Sequence, residues 1–217
     1  MIVYTTEGGK YFSVEESLRR DDKTPRGLYI NLTNHCDNDC VFCLRQTKQM
    51  ARESSLWLER EPTVEEVEKD LSAAPWHLIK EVVFCGFGEP TLRLNELLEL
   101  LRWLKREHPS VPTRVNTNGL GELAHGRVIA PDFDGLLDVA SISLNASTAE
   151  KYFALTRSTY GLKSFEAMLT FAEHMRDHVP TVVLTIVDKV SPPEEIERCK
   201  ELCSARGLTF RVRPFEK

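Results

Sequence analysis

Hydrophobic residues follow two alternating spacings along most of the chain. Short runs rich in β-branched or apolar residues precede longer stretches in which apolar residues recur every three or four positions, as they do on a helix. The short runs predict strands at Leu28–Leu32, Val82–Cys85, Thr113–Asn116, Val139–Leu144, Val182–Val187 and Thr209–Val212. Because each strand except the last is followed by a helical stretch, the pattern predicts βα units on a parallel sheet.

Two further features of the helical stretches predict how the helices pack and where they begin. One leucine-rich stripe runs from Leu94 to Leu104 and a second apolar stripe from Phe165 to Met175, and both are expected to pack against the sheet. A Ser or Thr followed three positions later by Glu has the spacing of a capping box, which marks the start of a helix. This spacing predicts helix starts at Thr63 with Glu66, Ser147 with Glu150, and Ser191 with Glu194.

The number of βα units predicts the architecture. Six units are fewer than the eight that close a full barrel, so the predicted α/β fold is an open (βα)6 partial TIM barrel with a parallel sheet. Right-handed crossovers place the loops that follow the strands on one face. Residues 1–27 differ, with a short hairpin expected around Gly8-Gly9 before a charged stretch, and are predicted to be an N-terminal accessory segment. Residues 28–217 are predicted to form the core domain.

Composition narrows the possible classes of protein. A chain of 217 residues with 41% hydrophobic and 28% charged residues is typical of one globular domain. The formal net charge of -5 gives no general attraction to nucleic acid. The N-terminus does not resemble a signal peptide, and no apolar run approaches the roughly 20 residues of a membrane span, so we expect a cytoplasmic protein without membrane contact.

Three of the six cysteines, Cys36, Cys40 and Cys43, lie together directly after the first predicted core strand. The carboxyl end of a strand is where α/β folds place active sites. Thiolates favour zinc or iron–sulfur clusters, and three without a fourth nearby do not complete a tetrahedral zinc site. The three cysteines therefore predict an iron–sulfur cluster with one iron left open.

Two motifs carry a family resemblance. The spacing C-x3-C-x2-C, with Phe42 before the last cysteine, resembles the radical S-adenosylmethionine (SAM) superfamily. The segment Gly86–Pro90 follows the second core strand and resembles the GGE motif of that superfamily, with Phe87 in place of one glycine. The stretches INLTNHC, CVFCLR, EVVFCGFGEPT, RVNTNG and SISLNA are together similar to short radical SAM proteins associated with TatD-type hydrolases.

The resemblance implies cofactors and chemistry. Cys36, Cys40 and Cys43 would ligate three irons of a [4Fe–4S] cluster, and SAM would chelate the fourth. Reductive cleavage of SAM would give a 5′-deoxyadenosyl radical that abstracts hydrogen from an unidentified substrate. An electron donor such as flavodoxin or ferredoxin would reduce the cluster, and a functional link to a TatD-type hydrolase is expected.

The resemblance also implies a set of residues that contact SAM. They are Phe42, Gly86, Phe87, Gly88, Glu89, Pro90, Asn116, Ser143, Asn145 and Val187. The segment Gly86–Pro90 would meet the methionyl end, Ser143 and Asn145 the ribose hydroxyls, and Phe42 and Val187 the adenine. Asn116 and the neighbouring Asn118 would reach SAM or substrate, although Asn118-Gly119 equally suits a turn.

Alternatives remain open at this stage. The chain could be an enzyme similar to carboxydeazaguanine synthases, or a noncatalytic iron–sulfur or zinc protein whose metal site is completed by His35 or Cys85. Cys199 and Cys203 are expected to be core thiols rather than ligands of an auxiliary cluster. Five charged residues could bind an anionic substrate or form exposed ion pairs: Arg45, Lys48, Arg157, Asp188 and Arg213. Because little chain follows the last strand, the substrate is expected to be large or its site completed by a partner protein.

Overall fold

The computed structural model describes residues 1–48, 50–51 and 54–215. The strands within these residues are β1 (Val3–Glu7), β2 (Lys10–Phe12), β3 (Arg26–Ile30), β4 (Ile79–Phe84), β5 (Thr113–Thr117), β6 (Val139–Ser143), β7 (Thr181–Val187) and β8 (Thr209–Arg213). They form one sheet in the order β2-β1-β3-β4-β5-β6-β7-β8. Strands β3 to β8 pair in parallel, whereas β1 pairs antiparallel with both β2 and β3.

Helices connect the strands. They are α1 (Val14–Arg20), α2 (Leu44–Thr47), α3 (Val64–Ser72), α4 (Leu94–Glu107), α5 (Gly121–His125), α6 (Ala149–Thr156), α7 (Lys163–Arg176) and α8 (Pro193–Ala205). Short 3₁₀ turns lie at Trp76–Leu78, Pro90–Arg93 and Ala130–Phe133. In the part of the chain that the structure describes, no helix is long and apolar enough to cross a membrane.

The parallel part of the sheet confirms the predicted architecture. The six predicted strands correspond to β3–β8, each joined to the next by helical segments. Among the described strands, β2 and β8 stand at opposite ends of the sheet and do not pair with each other. The fold is therefore the predicted α/β fold with an open parallel sheet, an incomplete barrel of six βα units.

Strand β4 begins earlier than the hydrophobic pattern predicts. Its first residues include Lys80 and Glu81, which interrupt the apolar run that begins at Val82. Glu81 accepts a hydrogen bond from the Arg114 guanidinium of β5 at 3.0 Å. A charged residue inside this strand is therefore matched by a charged partner on the neighbouring strand, which the sequence of one strand alone does not reveal.

The apolar core lies between the sheet and the helices that cover it. The two predicted stripes are confirmed: Leu97 and Leu101 of α4 and Met168 of α7 are fully buried. Burial of each such side chain stabilises the fold by roughly 1.5–3 kcal/mol relative to its exposure. Cys199 and Cys203 of α8 lie in the same core with no exposed surface, as expected for packing thiols.

The three predicted capping boxes have different outcomes. At Thr63 and Glu66 the prediction is confirmed, with both reciprocal hydrogen bonds present at the start of α3. The prediction at Ser147 is wrong, because α6 begins one residue later, with Thr148 as its N-cap. The N–H and hydroxyl of Ser147 instead donate to the buried carboxylate of Glu195, at 2.7 and 2.6 Å.

The prediction at Ser191 is also wrong. The N-cap of α8 is Pro192, which makes no side-chain capping bond. The hydroxyl of Ser191 instead donates to the backbone carbonyl of Asn145, at 3.5 Å. A tertiary contact therefore replaces the local capping bond that the spacing predicts.

The N-terminal segment contains the predicted hairpin. Gly8 and Gly9 both have positive φ and form the turn between β1 and β2. Strand β1 continues the core sheet by pairing with β3, so that Tyr4 stands opposite Tyr29. The division after residue 27 stays a prediction, and it falls within β3.

Candidate active site

The three clustered cysteines lie in one loop at the carboxyl end of β3. This cysteine loop spans residues 34–43 and ends at Cys43, the N-cap of α2. All three thiols are free and partly buried. The sequence therefore predicted correctly that they share a single loop at the carboxyl edge of the sheet.

Backbone hydrogen bonds hold the cysteine loop from two sides. The N–H of Glu89, after β4, donates to the carbonyl of His35 at 2.7 Å. On the other side, the N–H groups of Asp39 and Val41 donate to carbonyls at the end of α6, at 2.8 and 3.0 Å. The Asn34 side chain adds two bonds to the backbone of Leu58, at 2.8 and 3.1 Å. The loop is thus held by hydrogen bonds to residues that are distant in sequence.

The surroundings of the thiols favour a metal centre over free thiolates. Burial, reinforced by the nearby Glu89 carboxylate, raises the pKa of Cys36 to about 11. Burial and the other two thiols raise the pKa of Cys40 to about 12. Burial thus disfavours the thiolate forms of Cys36 and Cys40, and the charge of a bound metal centre would favour them.

The spacing of the possible ligands bears on which metal centre fits. Among the described residues, no three His, Cys, Asp or Glu side chains lie close enough together to hold a single metal ion. The thiols are nevertheless near enough for Cys36 and Cys43 to raise the pKa of Cys40. This arrangement suits a larger cluster in which each thiolate binds a different iron.

The glycine loop, Gly86–Pro90, packs directly against the cysteine loop. A methyl group on Gly86 would overlap the Asn31 side chain, and one on Gly88 would lie 2.5 Å from the His35 carbonyl oxygen and closer still to that of Thr33. Glycine is required at Gly86 because the Asn31 side chain approaches, and at Gly88 because the backbone of Thr33 and His35 approaches. The predicted contact of these glycines with SAM stays a prediction.

The other members of the glycine loop also contact protein. Phe87 is 6% exposed and packs its ring edge-on against Trp57, with ring centroids 5.1 Å apart. Pro90 begins a 3₁₀ turn. Both side chains therefore support the conformation of the glycine loop through contacts within the protein.

Glu89 is the most enclosed charged group near the cysteines. It is 3% exposed, and burial raises its pKa. Its carboxylate accepts hydrogen bonds from the hydroxyls of Thr91 and Thr117 at 2.8 and 2.7 Å, and from the N–H groups of Thr91 and Asn118 at 3.1 and 2.7 Å. Glu89 therefore ties the loop after β4 to the end of β5.

Asn118 connects Glu89 to the cysteine loop. Its side-chain Nδ2 lies 3.9 Å from the Cys36 sulfur, and its Oδ1 accepts the N–H of Leu120 at 2.8 Å. The side chain thus makes the local turn bond that the Asn-Gly sequence suggested and also reaches a predicted cluster ligand. The turn role is therefore present, and the predicted contact of Asn118 with SAM or substrate stays a prediction.

A cavity of about 140 Å³ is lined by residues from four parts of the sequence, one of which is the C-terminal stretch Arg213, Pro214 and Phe215. Phe42 and Cys43 reach it from the cysteine loop, Ser143 and Asn145 from the end of β6, and Val187 from the end of β7. Asn145 has a φ of 62°, a left-handed conformation that Asn tolerates better than most residues. The structure therefore brings together the predicted ribose and adenine residues beside a cluster cysteine.

A second cavity, of about 340 Å³, lies beside the first. It is lined by Gly86, Phe87 and Asn116 from the predicted set. The two cavities share the lining residues Leu44, Arg213 and Pro214. Five predicted site residues line neither cavity and instead form the supporting loops: Cys36, Cys40, Gly88, Glu89 and Pro90.

Sequence reasoning missed several lining residues. Thr185 of β7 lines the smaller cavity, and Arg114 of β5 and Arg211 of β8 line the larger one. The available signal was the two-residue period of a strand, which places Arg211 and Arg213 on the same face of β8. From the sequence alone, charged residues at such strand positions look the same as residues on a solvent-exposed face. Only the three-dimensional fold shows that they face the partial barrel.

The other charged candidates mostly have local partners. Arg45 stacks on Trp57 at 4.9 Å, and Lys48 lies 4.6 Å from the Tyr11 ring. Arg157 ends α6 with a φ of 49° and pairs with Asp39 at 3.6 Å, both side chains being largely exposed. Asp188 accepts the N–H of Phe215 at 2.5 Å.

Comparison with known sequences identifies the family. The sequence model described as "Radical SAM superfamily" matches residues 30–203, which include the cysteine loop, the glycine loop and both cavity-lining strand ends β6 and β7. The chain belongs to the radical SAM superfamily. The cofactors of this superfamily are a [4Fe–4S] cluster and SAM, and its members are enzymes.

Characterised radical SAM relatives are longer than this chain. A GTP 3′,8-cyclase from Corynebacterium glutamicum (strain R) is 30% identical over 201 residues, covering 88% of this chain and 49% of the relative. A probable GTP 3′,8-cyclase from Thermococcus kodakarensis is 29% identical over 159 residues, covering 73% and 46%. The chain thus spans about half the length of the curated relatives that it matches.

Solved radical SAM structures share the fold. SuiB of Streptococcus suis bound to S-adenosylmethionine aligns with a TM-score of 0.65 at 17% identity, over 93% of this chain and 44% of that one. A radical SAM methyltransferase from Sphaerobacter thermophilus aligns with a TM-score of 0.59 at 16% identity, over 88% and 66%. At these identities the similarity establishes the fold alone.

Proposed function

We propose that this chain binds a [4Fe–4S] cluster through Cys36, Cys40 and Cys43 and cleaves SAM reductively to begin radical chemistry on a substrate. The observation that carries the proposal is that Cys43 itself lines the cavity formed by Phe42, Ser143, Asn145 and Val187. A molecule in that cavity lies against a cluster ligand. When bound and reduced, the cluster supplies the electron that breaks the sulfonium bond of SAM and yields methionine and a 5′-deoxyadenosyl radical.

The residues of the smaller cavity suit the nucleoside part of SAM. Ser143 and Asn145 offer a hydroxyl and an amide at the end of β6, and such groups can donate to and accept from ribose hydroxyls. Phe42 and Val187 offer apolar surface for the adenine. Thr185 adds a hydroxyl, which is engaged with the Ile142 carbonyl at 3.3 Å. These residues would orient SAM and exclude water from it.

The supporting loops would hold the cluster and the methionyl end. The backbone of Gly86 lines the larger cavity next to Asn116, so its carbonyl and the Asn116 amide are groups that could meet the ammonium of SAM. The Glu89 carboxylate already accepts bonds from its own fold, so we assign it to positioning. The Asn118 amide near the Cys36 sulfur would stabilise negative charge there.

We also propose an associated protein, a cellular location, an electron donor and a division of the chain. The motif similarity supports a functional link to a TatD-type hydrolase, a cytoplasmic location and reduction by a flavodoxin or ferredoxin. We retain the proposed division into an accessory segment, residues 1–27, and a radical SAM core, residues 28–217. The hairpin that continues the sheet supports treating the first segment as an addition to the βα core.

The reaction is tested by anaerobic reconstitution with iron and sulfide, reduction, addition of SAM and chromatography for 5′-deoxyadenosine. We expect the wild type to form 5′-deoxyadenosine and the Cys40→Ala variant to form none. Cys203→Ala is the matched control, since it removes a buried thiol that belongs to α8 and not to the cysteine loop. A fully loaded wild-type cluster that binds SAM but never cleaves it, with or without the pterin precursor of carboxydeazaguanine, would contradict the proposal.

A further inference from the structure

Three arginines face the larger cavity. Arg114 reaches it from β5, and Arg211 and Arg213 reach it from β8. Arg211 and Arg213 are two residues apart on one strand and therefore point to the same side of the sheet. The described residues that line this cavity include no carboxylate.

The positive charge of this cluster is incompletely balanced within the described chain. Arg114 pairs with Glu81 at 3.0 Å, yet its Nε is buried without a hydrogen-bond partner. No described carboxylate lies within 4.0 Å of the guanidinium of Arg211 or Arg213. Burial and the charges of Arg114 and Arg213 lower the pKa of Arg211 and outweigh the opposing effect of the Glu81 carboxylate, so Arg211 lies within electrostatic reach of both other guanidiniums. Three like charges around one cavity are costly unless an anion joins them.

The cavity has the size and the polar groups of a small-molecule site. Its volume of about 340 Å³ lies within the usual range for such sites. Tyr29 and Thr6 add groups that can hydrogen-bond, and Leu44 and Leu56 add apolar surface, while Gly86 and Asn116 at the same cavity are assigned to the methionyl end of SAM. Guanidinium groups bind carboxylates and phosphates through paired N–H donors, which makes arginine well suited to such anions.

We propose that the larger cavity binds the substrate, and that the substrate is a small molecule whose carboxylate or phosphate group is held by Arg114, Arg211 and Arg213. The proposal rests on the proposed function and specifies its substrate class. Arg213 and Pro214 line both cavities, so a molecule in the larger cavity lies next to a nucleoside in the smaller one. Hydrogen abstraction requires this adjacency between the substrate and the 5′ carbon of SAM.

The experiment is calorimetric titration of the reconstituted full chain with two probes, inorganic phosphate and succinate, at constant ionic strength. We expect the wild type to bind at least one probe, and the preferred probe distinguishes a phosphate-bearing from a carboxylate-bearing substrate. Arg211→Gln is expected to weaken binding roughly tenfold or more through loss of a charged contact. Arg211 is exposed, so this variant is expected to fold. Arg102→Gln on the exposed face of α4 removes the same charge and is expected to bind as the wild type does.

Three outcomes would overturn the inference. The wild type could bind neither probe, or Arg211→Gln could bind both as tightly as the wild type. Alternatively, saturating SAM could displace the probe while Arg211→Gln weakens SAM binding by the same factor, in which case the arginines hold the carboxylate of SAM. Each of these results is compatible with normal formation of 5′-deoxyadenosine, so failure of the inference is distinguishable from failure of the proposed function.

Discussion

The carboxylate of Glu89 accepts a hydrogen bond from the backbone N–H of Asn118 at 2.7 Å. This bond joins the segment after β4 to the end of β5. The Asn118 side chain extends the connection to the cysteine loop, because its Nδ2 lies 3.9 Å from the Cys36 sulfur. A buried carboxylate that accepts four hydrogen bonds from its own fold helps to organise the site.

Replacement of Glu89 by Gln is expected to destabilise the protein by about 1–3 kcal/mol, because the amide replaces one acceptor oxygen with a donor and leaves buried donors unsatisfied. Urea unfolding of the apoprotein measures this free energy. Glu99→Gln, on the exposed face of α4, removes the same charge and is expected to have little effect. Equal unfolding free energies for the two variants would contradict the positioning role of Glu89.

Replacement of Gly88 by Ala is expected to lower the iron content after reconstitution, because the added methyl meets the backbone carbonyls of Thr33 and His35 and displaces the cysteine loop. The expected loss of stability is about 1–3 kcal/mol from overpacking. Gly135→Ala is the control, since Gly135 has a φ of 69° but no neighbour within 4 Å. That variant is expected to cost about 1 kcal/mol from backbone strain and to load iron normally. Normal iron loading of Gly88→Ala would show that the contact between the loops is dispensable.

Asn145 allows its backbone and side-chain roles to be separated. Asn145→Gly keeps the left-handed backbone accessible and removes only the amide, so it is expected to weaken SAM binding while changing stability by less than about 1 kcal/mol. Asn145→Ala removes the same amide and adds strain of about 1 kcal/mol. Binding titrations with SAM and thermal unfolding of both variants provide the measurements. If Asn145→Gly binds SAM as well as the wild type, the amide does not contact the ribose.

Asp138 gives an acid-dependent contribution to stability. Its burial by itself would raise its pKa, but hydrogen bonds from Lys105 and Thr113 outweigh burial and hold the pKa below its ordinary value. A lowered folded-state pKa stabilises the protein above the unfolded pKa of about 3.9, and this stabilisation is lost as the pH falls through the folded pKa.

Replacement of Asp138 by Asn is therefore expected to cost about 0.5–1 kcal/mol at pH 7, since the group is partly exposed, and to cost less as the pH falls below about 4. Unfolding free energies at pH 7 and pH 3.5 measure the difference. Asp22→Asn on the exposed N-terminal surface is the control. A cost for Asp138→Asn that is independent of pH would show that the carboxylate charge contributes nothing.

Much of the fold follows from local patterns in the sequence. The alternation of strand and helix periods gave all six core strands, because most of them are buried and retain an apolar pattern that is visible without tertiary information, although β8 is largely exposed. The start of β4 was missed because Lys80 and Glu81 break that pattern, and the partner of Glu81 lies on another strand. The cap at Ser147 was wrong for the same reason, since Glu195 competes for its hydroxyl from a distant helix.

The candidate site was likewise predicted only in part from the sequence. The spacing of the cysteines and the order of the motifs predicted which loops meet, because parallel strands end at one edge. The structure shows in addition that the glycine loop needs its glycines for contact with the cysteine loop. Arg114 and Arg211 of the larger cavity were missed because they become neighbours only when the sheet curves into a partial barrel, whereas Arg213 was already a candidate for binding an anion. Periodicity predicts the face of a strand but not what stands opposite that face.

The most direct test of the central claim is the electron paramagnetic resonance spectrum of the reduced, reconstituted protein before and after addition of SAM. If Cys36, Cys40 and Cys43 hold three irons and leave the fourth for SAM, the wild type binds four irons per chain and its spectrum changes when SAM is added. Cys199→Ala should behave in the same way, because that thiol is a core residue. A four-iron spectrum that SAM leaves unchanged, or a protein that takes up one zinc ion in place of a cluster, would contradict the account.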